Sequence, residues 1–412
     1  MRKERLIVPV LAVLLLCWLA GQGISSLSFE RGLTRTLDDL AARGGLAVAR
    51  HEVDRGWWSS SGRIRVAPQL GDAWQLELGY EARHGVLSTQ LSGEAVVRYG
   101  PEGRRLFGDA LSVAAPRWQA SYRTLSGVLE GGLRLAPFRI TQEGRELRFG
   151  GGQFHFNGVY GDWRLQGRLE AWRLSDGEAW LEVGPAVLES RYAYTAGALA
   201  FTQHDRLEVA AVTWHQPRLD LEARDLVVVD RMTLDDEELR LRLDIDLGEV
   251  RTADRVLLTG ALATELSRLN ADALRGTMRR LRSLAASGDR RLDGQTLLVR
   301  LEPWLLGILQ DSPRLDLLDL DLDSPMMGLD ARVEGSLFFD GRDFGELSLV
   351  DLDDPAMQAR WRRRLDGDFV WHDLPTVVAL WLGLPLDTRT LEIDIGRGQV
   401  RVNGRPLPPL TR

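Results

Sequence analysis

The sequence predicts a mainly β fold of the α+β class, in which an extended, curved antiparallel sheet carries a few packed helices and an N-terminal membrane anchor. Short segments that alternate aliphatic and charged residues recur from about Ile64 to Val402. In the clearest of them, Leu239–Leu247, every odd position is aliphatic and every even position is charged. A period of two places all the aliphatic side chains on one face of a strand. Most of the 42 glycines lie between such segments, where turns need backbone conformations that other residues resist.

The composition bounds the class of protein. A chain of 412 residues has room for two or three domains at roughly 150 residues each. An apolar fraction of 44% with 27% charged residues is that of a folded protein. The net charge of −7 argues against a nucleic-acid partner. Because the one cysteine, Cys17, lies inside an apolar run, the chain has no disulfide framework or thiolate metal site within itself.

Residues 1–27 are predicted to form a signal anchor or transmembrane segment. The basic stretch Arg2–Arg5 precedes an apolar run, and positive charge in that place holds the end of a chain in the cytoplasm. The apolar run extends from Leu6 to Gly21 and supplies the predicted membrane-anchor residues Leu6, Leu11, Leu15 and Trp18. In this interpretation the rest of the chain is exported.

Two alternatives to an uncleaved anchor were weighed against it. A cleaved signal needs small residues at two positions that flank a third, and Gly21-Gln22-Gly23 meets this requirement only weakly. A lipid-modified Cys17 needs a small residue just before it, where the chain has Leu16. We therefore favour the uncleaved anchor, with the cleaved signal as the main alternative.

Residues 28–258 are predicted to form an N-terminal helix followed by an antiparallel β-meander. Helical spacing is shown by Phe29, Leu33, Leu37, Leu40 and Ala41, with Gly44-Gly45 as the stop. From Leu46 onward, segments with a period of two, separated by glycines, predict roughly ten or more strands.

Residues 259–412 are predicted to contain further helices and to close with a β-hairpin. The main helix, Ala261 to Ala286, is predicted from apolar residues at helical spacing: Leu262, Leu266, Leu269, Ala273, Leu281 and Leu284. After it we predict a strand at Leu297–Val299, a helix at Leu301–Leu309, and strands at Leu315–Leu322 and Leu329–Phe339. Asp354-Pro355 and Leu374-Pro375 each begin another helix. The hairpin pairs Leu391–Ile395 with Gln399–Val402, and Asn403-Gly404 forms a turn after it.

The residues that carry chemistry show no familiar catalytic or metal-binding spacing, so we predict no enzyme, no cofactor and no metal site. The six histidines are not paired at a metal-ligand spacing. Asp319–Asp323 with Asp330 resembles a calcium loop, but Ser324 stands where glycine is needed, and the alternating leucines explain the aspartates as the wet face of a strand. Gly150–Gly152 lies between strand-like stretches, whereas a phosphate-binding loop precedes a helix. A hydrolase with an unrecognised constellation remains an alternative.

The adjacent tryptophans Trp57 and Trp58 have two interpretations. Tryptophan rings favour the membrane–water interface. Neighbouring positions on an edge strand point to opposite faces, which needs no membrane. We favour the second interpretation.

Four segments along the chain together resemble the YdgA-like family of bacterial envelope proteins, a domain of unknown function. The segments are Arg55-Gly56-Trp57-Trp58-Ser59-Ser60; Arg83-His84-Gly85; Phe149–Asn157, with Gly151, Gly152 and Phe154; and Gly398–Gly404, with Asn403. The second segment lacks an aspartate and a proline that the family has around the histidine and glycine. The order of anchor, helix, meander, long helix and final hairpin is also similar to that family.

The resemblance implies a protein anchored in the bacterial inner membrane with the bulk of its chain in the periplasm, and it brings no catalytic residues. Such proteins also resemble the wider AsmA-like group, whose long sheets are thought to hold lipid. Two functions then compete. In the first, an apolar sheet face holds lipid or another amphiphile. In the second, helices cover that face, and the protein is an envelope scaffold that acts through a protein partner or its own copy as a homo-oligomer. We favour the first, because the predicted helices cover too few strands and large exposed apolar surfaces usually bind something.

Overall fold

The computed structural model describes residues 4–42, 46–69, 73–100, 102–142, 144–195, 199–253, 255–286 and 294–406, with side chains from residue 18 onward except at 19, 285 and 286. Five α-helices lie in these ranges: α1 (Glu4–Ala42), α2 (Ala271–Ala286), α3 (Gly294–Ile308), α4 (Pro355–Arg363) and α5 (Thr376–Trp381). The strands of the first half are β1 (Leu46–Arg55), β2 (Ser59–Pro68), β3 (Trp74–His84), β4 (Ser88–Tyr99), β5 (Arg104–Arg105), β6 (Arg117–Arg123), β7 (Leu129–Leu135), β8 (Phe138–Gln142), β9 (Arg145–Phe149), β10 (Gly152–Val159), β11 (Asp162–Leu169), β12 (Trp172–Asp176), β13 (Ala179–Val183) and β14 (Ala186–Tyr194). Those of the second half are β15 (Phe201–Gln216), β16 (Leu219–Leu234), β17 (Glu238–Thr252), β18 (Arg255–Asn270), β19 (Arg314–Ser324), β20 (Leu329–Phe339), β21 (Leu365–His372), β22 (Leu391–Gly396), β23 (Gln399–Val402) and β24 (Arg405–Pro406).

The chain divides into two compact units. The first unit comprises residues 1–140, 150–169 and 281–291, and the second comprises 141–149, 170–280 and 292–412. Within each unit, every strand pair with a defined register is antiparallel. The predicted mainly β, antiparallel fold is therefore confirmed.

The first unit is a meander with one long helix on its apolar face. Strands β1, β2, β3, β4, β6, β7, β10 and β11 pair in that order. Helix α1 contacts β1, β3 and β4. Its Phe29 is the centre of a buried cluster with Tyr80, Ala82, Leu91 and Ala120. Because period-two strands leave one face apolar, a helix with an apolar stripe is needed to seal it.

The predicted N-terminal helix from Phe29 to Ala41 is confirmed, but it is part of a longer helix. Helix α1 has 39 residues and begins at Glu4. The predicted stop at Gly44-Gly45 lies outside the described residues, as do the side chains of Leu6, Leu11 and Leu15. Within the residues that are described with their side chains, no helix is long and apolar enough to cross a membrane.

The second unit contains the longest strands. Its strands β15, β16, β17, β18, β19, β20, β21, β22, β23 and β24 pair in that order, and β13 and β14 both pair with β15. Two buried clusters lie toward its C-terminal strands. One surrounds Leu374 and Leu391 under α5, and the other joins Leu306 of α3 to Phe339 and Leu347.

The predicted helix from Ala261 to Ala286 is wrong over its first half. Residues 261–270 belong to β18, and α2 begins at Ala271. Leu262 and Leu266 are four apart, a spacing that places two residues on one face of a helix and also of a strand. A bulge near Arg268, whose φ is 59°, returns Leu269 to that same face opposite Leu239. The cap of α2 is Asn270, whose Oδ1 accepts a hydrogen bond from the backbone N–H of Ala273 at 2.7 Å.

The predicted strand at Leu297–Val299 is also wrong, because these residues lie inside α3. A run of apolar residues this short fits a strand or a buried helix equally well. The predicted helix at Leu301–Leu309 is confirmed as the rest of α3, apart from its last residue. The predicted strands that became β19 and β20, the helices α4 and α5, and the hairpin β22–β23 are confirmed.

Candidate functional site

A row of aliphatic side chains crosses the sheet of the second unit and is its main candidate site. Residues paired directly across antiparallel strands share a face. The register pairs one aliphatic residue per strand from β14 to β20, and we call this set the aliphatic row: Leu188, Leu207, Val228, Ile245, Leu262, Leu320 and Val333. At about 4.8 Å between strands, the six intervals of the row span about 29 Å.

The aliphatic row is not sealed. Each of its seven members is half-buried, so each keeps some contact with solvent. None of them belongs to the buried clusters of the second unit. The next strand continues the row with Trp371, which packs against the cluster under α5. Packing by helices therefore covers the C-terminal end of this face and leaves the row itself partly open.

A pair of carboxyl groups lies on the same face beside the aliphatic row. Asp205 is two residues before Leu207, Asp230 is two residues after Val228, and the two aspartates are directly paired. Burial, followed by the negative charge of Asp205, raises the pKa of Asp230. Gln203 donates a hydrogen bond to Asp205 Oδ2 at 2.5 Å, while Asp205 Oδ1 is buried with no hydrogen-bond partner. The face is thus apolar with one acidic spot.

In the first unit, the family-like residues Ser60 and His84 meet beneath helix α1. Ser60 Oγ lies 3.1 Å from His84 Nε2, and Thr89 Oγ1 lies 3.0 Å from His84 Nδ1. A neutral imidazole has one donor and one acceptor nitrogen, so both hydroxyls find a bond. All three side chains are buried. The register between β2 and β3 creates this meeting, since Ser60 is paired with Ala82, two residues before His84.

Helix α1 adds its own polar side chains to this group. Gln22 Nε2 donates to the carbonyl of His84 at 2.6 Å. Ser25 Oγ lies 3.3 Å from Thr89 Oγ1 and 2.7 Å from Thr124 Oγ1. We call the residues that join α1 to the strands in this way the helix clamp: Gln22, Ser25, Ser60, His84, Thr89 and Thr124. A buried polar group stabilises only when its partners are in place, so the clamp fixes the position of the helix along the sheet.

The helix clamp contains the atoms of a nucleophile–base pair, but they are buried beneath α1. Burial lowers the pKa of His84 and so favours the neutral imidazole. The negative charge of Glu30 opposes this shift without cancelling it. The ring is covered by Phe29, whose centroid lies 5.7 Å away. A cavity of ≈ 500 Å³ lies further along α1, but its lining includes neither Ser60 nor His84. In the described structure, the helix clamp attaches α1 to the strands.

An ion pair continues the attachment of α1. Arg50 donates two hydrogen bonds to Glu30, at 2.8 and 2.9 Å, and Arg55 Nε lies 3.2 Å from the same carboxylate. Burial alone would raise the pKa of Glu30. Hydrogen bonding and charge from Arg50, then the charge of Arg55 and a hydrogen bond from Ser60, hold that pKa below its ordinary value. The family-like residue Arg55 therefore forms an ion pair with Glu30 of α1.

The remaining family-like residues of this region shape the turns. A Cβ at Gly56 would lie 2.6 Å from the carbonyl oxygen of Ser59, and one at Gly85 would lie 2.9 Å from that of Ser88. Both turns therefore need a glycine. Ser59 is exposed and is not part of the helix clamp. Trp57 and Trp58 lie in the turn between β1 and β2, so the interpretation that they point to opposite faces of an edge strand is wrong.

The other two family-like segments are also structural. Gly151 has a φ of 105°, and a Cβ at Gly152 would lie 2.8 Å from Leu169 Cδ2, while Phe154 is paired with Leu133 and Gly167. A Cβ at Gly398 would lie 2.6 Å from the carbonyl oxygen of Arg362. Asn403 and Gly404 have φ values of 47° and 74°, which confirms the predicted turn.

Among the residues that the structure describes, no group of three or more histidine, cysteine, aspartate or glutamate side chains is arranged to hold a metal ion. Asp319–Asp323 lies in β19, as the alternating leucines indicate. The sequence interpretation missed the Asp205–Asp230 pair and the role of Glu30, because both depend on which residues the register sets opposite each other.

The chain belongs to the family described as "Bacterial protein of unknown function (DUF945)", which it matches over residues 1–350. No curated protein and no solved structure matches the chain. The family carries no biochemical role, so the function rests on the chain's own residues.

Proposed function

We propose that this is a YdgA-like protein of the bacterial inner membrane, anchored by residues 1–27, which holds the acyl chain of a lipid or another amphiphile on its aliphatic row in the periplasm. The observation that carries the proposal is the row itself, seven aliphatic side chains on neighbouring strands that stay half-buried. An acyl chain that spans half of a bilayer's hydrocarbon core is about 15 Å long, and the row spans about 29 Å. The role is binding, with no catalytic step.

The polar surroundings of the row suit an amphiphile. Asp205 and Asp230 lie on the same face, so a ligand that lies along the row meets carboxyl groups at one side. The opposite face of β17 carries Arg242, Asp244 and Asp246, which a lipid tail avoids. The ligand class is therefore an amphiphile with an aliphatic tail.

The anchor supports the membrane location. Helix α1 continues without a break from the apolar run into the helix clamp. Cleavage after Gly23 would remove Gln22, which donates to the carbonyl of His84. Retention of the first residues is therefore part of the proposal, and the intact mass of the protein isolated from membranes tests it. A reporter fused after Arg412 that is active only in the cytoplasm contradicts the periplasmic location.

The test of lipid binding uses two neighbouring positions on opposite faces of β17. A photo-crosslinking amino acid replaces Ile245 on the aliphatic row or, as the matched control, Asp246 on the other face. After irradiation of cells and purification, mass spectrometry identifies adducts. We expect lipid adducts at position 245 and none at 246.

Two results contradict the proposal. Equal lipid labelling at both positions indicates detergent or bulk membrane contact. Protein adducts at position 245, in place of lipid, favour the envelope scaffold, in which a partner or a second copy covers the row.

A further inference from the structure

Three hairpin turns lie side by side at one end of the sheet in the first unit. They join β1 to β2, β3 to β4, and β6 to β7. The pairings Ser59 with Arg83 and Ser88 with Arg123 place these turns next to one another. Each turn carries large apolar side chains that are exposed: Trp57 (66%), Trp58 (52%), Leu87 (60%) and Leu125 (84%).

Helix α1 crosses the sheet at this same end and contacts each turn. Ser26 Oγ donates to the carbonyl of Gly56 in the first turn at 3.1 Å. A Cβ at Gly21 would lie 2.6 Å from Val86 Cγ1 in the second turn, so the helix and this turn pack closely. Ser25 Oγ lies 2.7 Å from Thr124 Oγ1 at the start of the third.

The apolar run of α1 therefore leaves the sheet beside these turns. Trp18 lies near the C-terminal end of that run and is exposed, and its ring centroid lies 5.0 Å from that of Trp58. Residues 6–17 precede it in the same continuous helix. The exposed side chains of the turns thus adjoin the segment that we propose as the membrane anchor.

We propose that Trp18, Trp57, Trp58, Leu87 and Leu125, which we call the collar, lie in the interfacial layer of the bilayer that holds the anchor. This inference rests on the proposed anchoring of residues 1–27. Tryptophan prefers the headgroup level, because its ring is apolar and its N–H seeks a polar partner. Arg83 lies near the end of β3 beside the turns and is exposed, which suits the phosphates of anionic lipids.

A second copy of the chain is a less suitable occupant of the collar than a bilayer. The collar surrounds the base of a helix whose next residues are apolar, so a membrane that takes up those residues brings its surface to the turns. A second copy would have to reach the same turns beside the same helix. The bilayer covers the collar and the apolar run with one continuous surface.

The far end of the same strands offers a matched control. Trp74 and Tyr99 are paired there and are exposed by 39% and 36%. Tyr99 is eleven residues from Ser88, which at about 3.3 Å per residue places it about 36 Å from the collar. In this arrangement Tyr99 lies outside the interfacial layer.

The experiment uses the full chain in vesicles of phosphatidylethanolamine and phosphatidylglycerol. Cys17→Ala removes the one native cysteine, and a single cysteine is introduced as Leu125→Cys, Leu87→Cys or Tyr99→Cys. Each is labelled with an environment-sensitive fluorophore. We expect blue-shifted emission and strong quenching by nitroxide-labelled lipid at positions 87 and 125, and several-fold weaker quenching at position 99.

The outcomes separate this proposal from the anchoring on which it rests. If the protein floats with the vesicles but the labels at positions 87 and 125 are quenched no more than that at 99, the anchor stands and the collar is overturned. If the protein does not float with the vesicles, both are overturned. A blue shift at 87 and 125 without quenching by lipid indicates contact with a second copy and also overturns the collar. Because Leu87 and Leu125 are exposed turn residues, their substitution leaves the fold intact.

Discussion

The two units treat the apolar face of their sheets in opposite ways. In the first unit, one long helix packs on the face over β1, β3 and β4, with Phe29 buried against Tyr80, Leu91 and other residues. In the second unit, the aliphatic row from Leu188 to Val333 stays half-buried although the strands are longer. The same alternating pattern thus gives a closed core in one unit and an open face in the other. The difference lies in whether a helix packs on the face, and the alternating pattern of the strands does not specify this.

The polar groups on the two apolar faces also differ in whether they have hydrogen-bond or ion-pair partners. Beneath α1, His84 is matched by Ser60 and Thr89, and Glu30 is matched by Arg50 and Arg55. On the face of the second unit, the carboxyl group of Asp205 is set against that of Asp230. Such partners are expected where a buried group serves the fold, although Gln22 Oε1 of the helix clamp is buried without a hydrogen-bond partner. A pair of like carboxyl groups on an open face, with Asp205 Oδ1 left without a hydrogen-bond partner, suits a surface that awaits a ligand.

The largest expected effect is the loss of Phe29 from the closed core. Phe29→Ala leaves a cavity under α1 and is expected to lower the free energy of unfolding of the first unit by about 3–5 kcal/mol. Leu262→Ala, on the half-exposed aliphatic row, is expected to cost the second unit only about 1–2 kcal/mol. Hydrogen exchange measures both, through the amides of α1 for the first variant and those of β17–β19 for the second.

The control for this comparison is Leu27→Ala. Leu27 is two residues before Phe29 in the same helix but is 58% exposed, so its truncation is expected to change stability by less than about 0.5 kcal/mol. Equal losses for Phe29→Ala and Leu262→Ala would mean that the aliphatic row is as well covered as the closed core.

The helix clamp gives the next largest effect and a pH dependence. Ser60→Ala leaves a buried His84 nitrogen without its partner and is expected to cost about 1–3 kcal/mol. The pKa of His84 is lowered from 6.5, so the unfolded chain binds the proton more readily than the folded one. The stability of the first unit is therefore full above pH 6.5 and falls as the pH decreases below it. The pKa of Glu30, lowered from 4.5, adds a second loss below pH 4.5.

Single substitutions separate these two contributions. His84→Gln does not titrate and is expected to flatten the decline that begins at pH 6.5, with the decline below pH 4.5 unchanged. Glu30→Gln is expected to remove only the lower decline. Hydrogen exchange of the α1 amides, followed at a series of pH values from 8 to 3, measures both. A His84→Gln profile that matches the native protein would show that the histidine has no part in the pH dependence.

The strands of both units were predictable from sequence because each has its own period-two pattern. Leu239–Leu247 became β17, the centre of the aliphatic row, without help from any neighbour. The end of β18 was not predictable in the same way, because Leu262, Leu266 and Leu269 fit a helix and also a bulged strand. Asn270, a favourable cap, was the signal that marked the true start of α2.

The candidate sites were less predictable than the strands. Ser60 and His84 stood out by their resemblance to a family, but their contact depends on the register of β2 and β3. The pairing of Asp205 with Asp230 likewise follows from the register of two strands of 16 residues. Register is set by turns and by long-range packing, so a local pattern does not contain it.

The smallest expected effect is that of Asp230, whose pH dependence of stability is opposite to that of His84 and Glu30. The pKa of Asp230 is raised, first by burial and then by Asp205, so the folded second unit binds a proton more readily than the unfolded chain. Its contribution to stability is therefore lost as the pH rises through the folded pKa, which is opposite to the effect of His84 and Glu30. Asp230→Asn removes a like-charge pair and is expected to raise the unfolding free energy at pH 7 by about 0.2–1 kcal/mol. Asp246→Asn, on the other face, is the control and is expected to change nothing. Chemical denaturation at pH 7 measures both, and a loss of stability in Asp230→Asn would mean that Asp230 makes a favourable interaction that the Asp205 pairing does not explain.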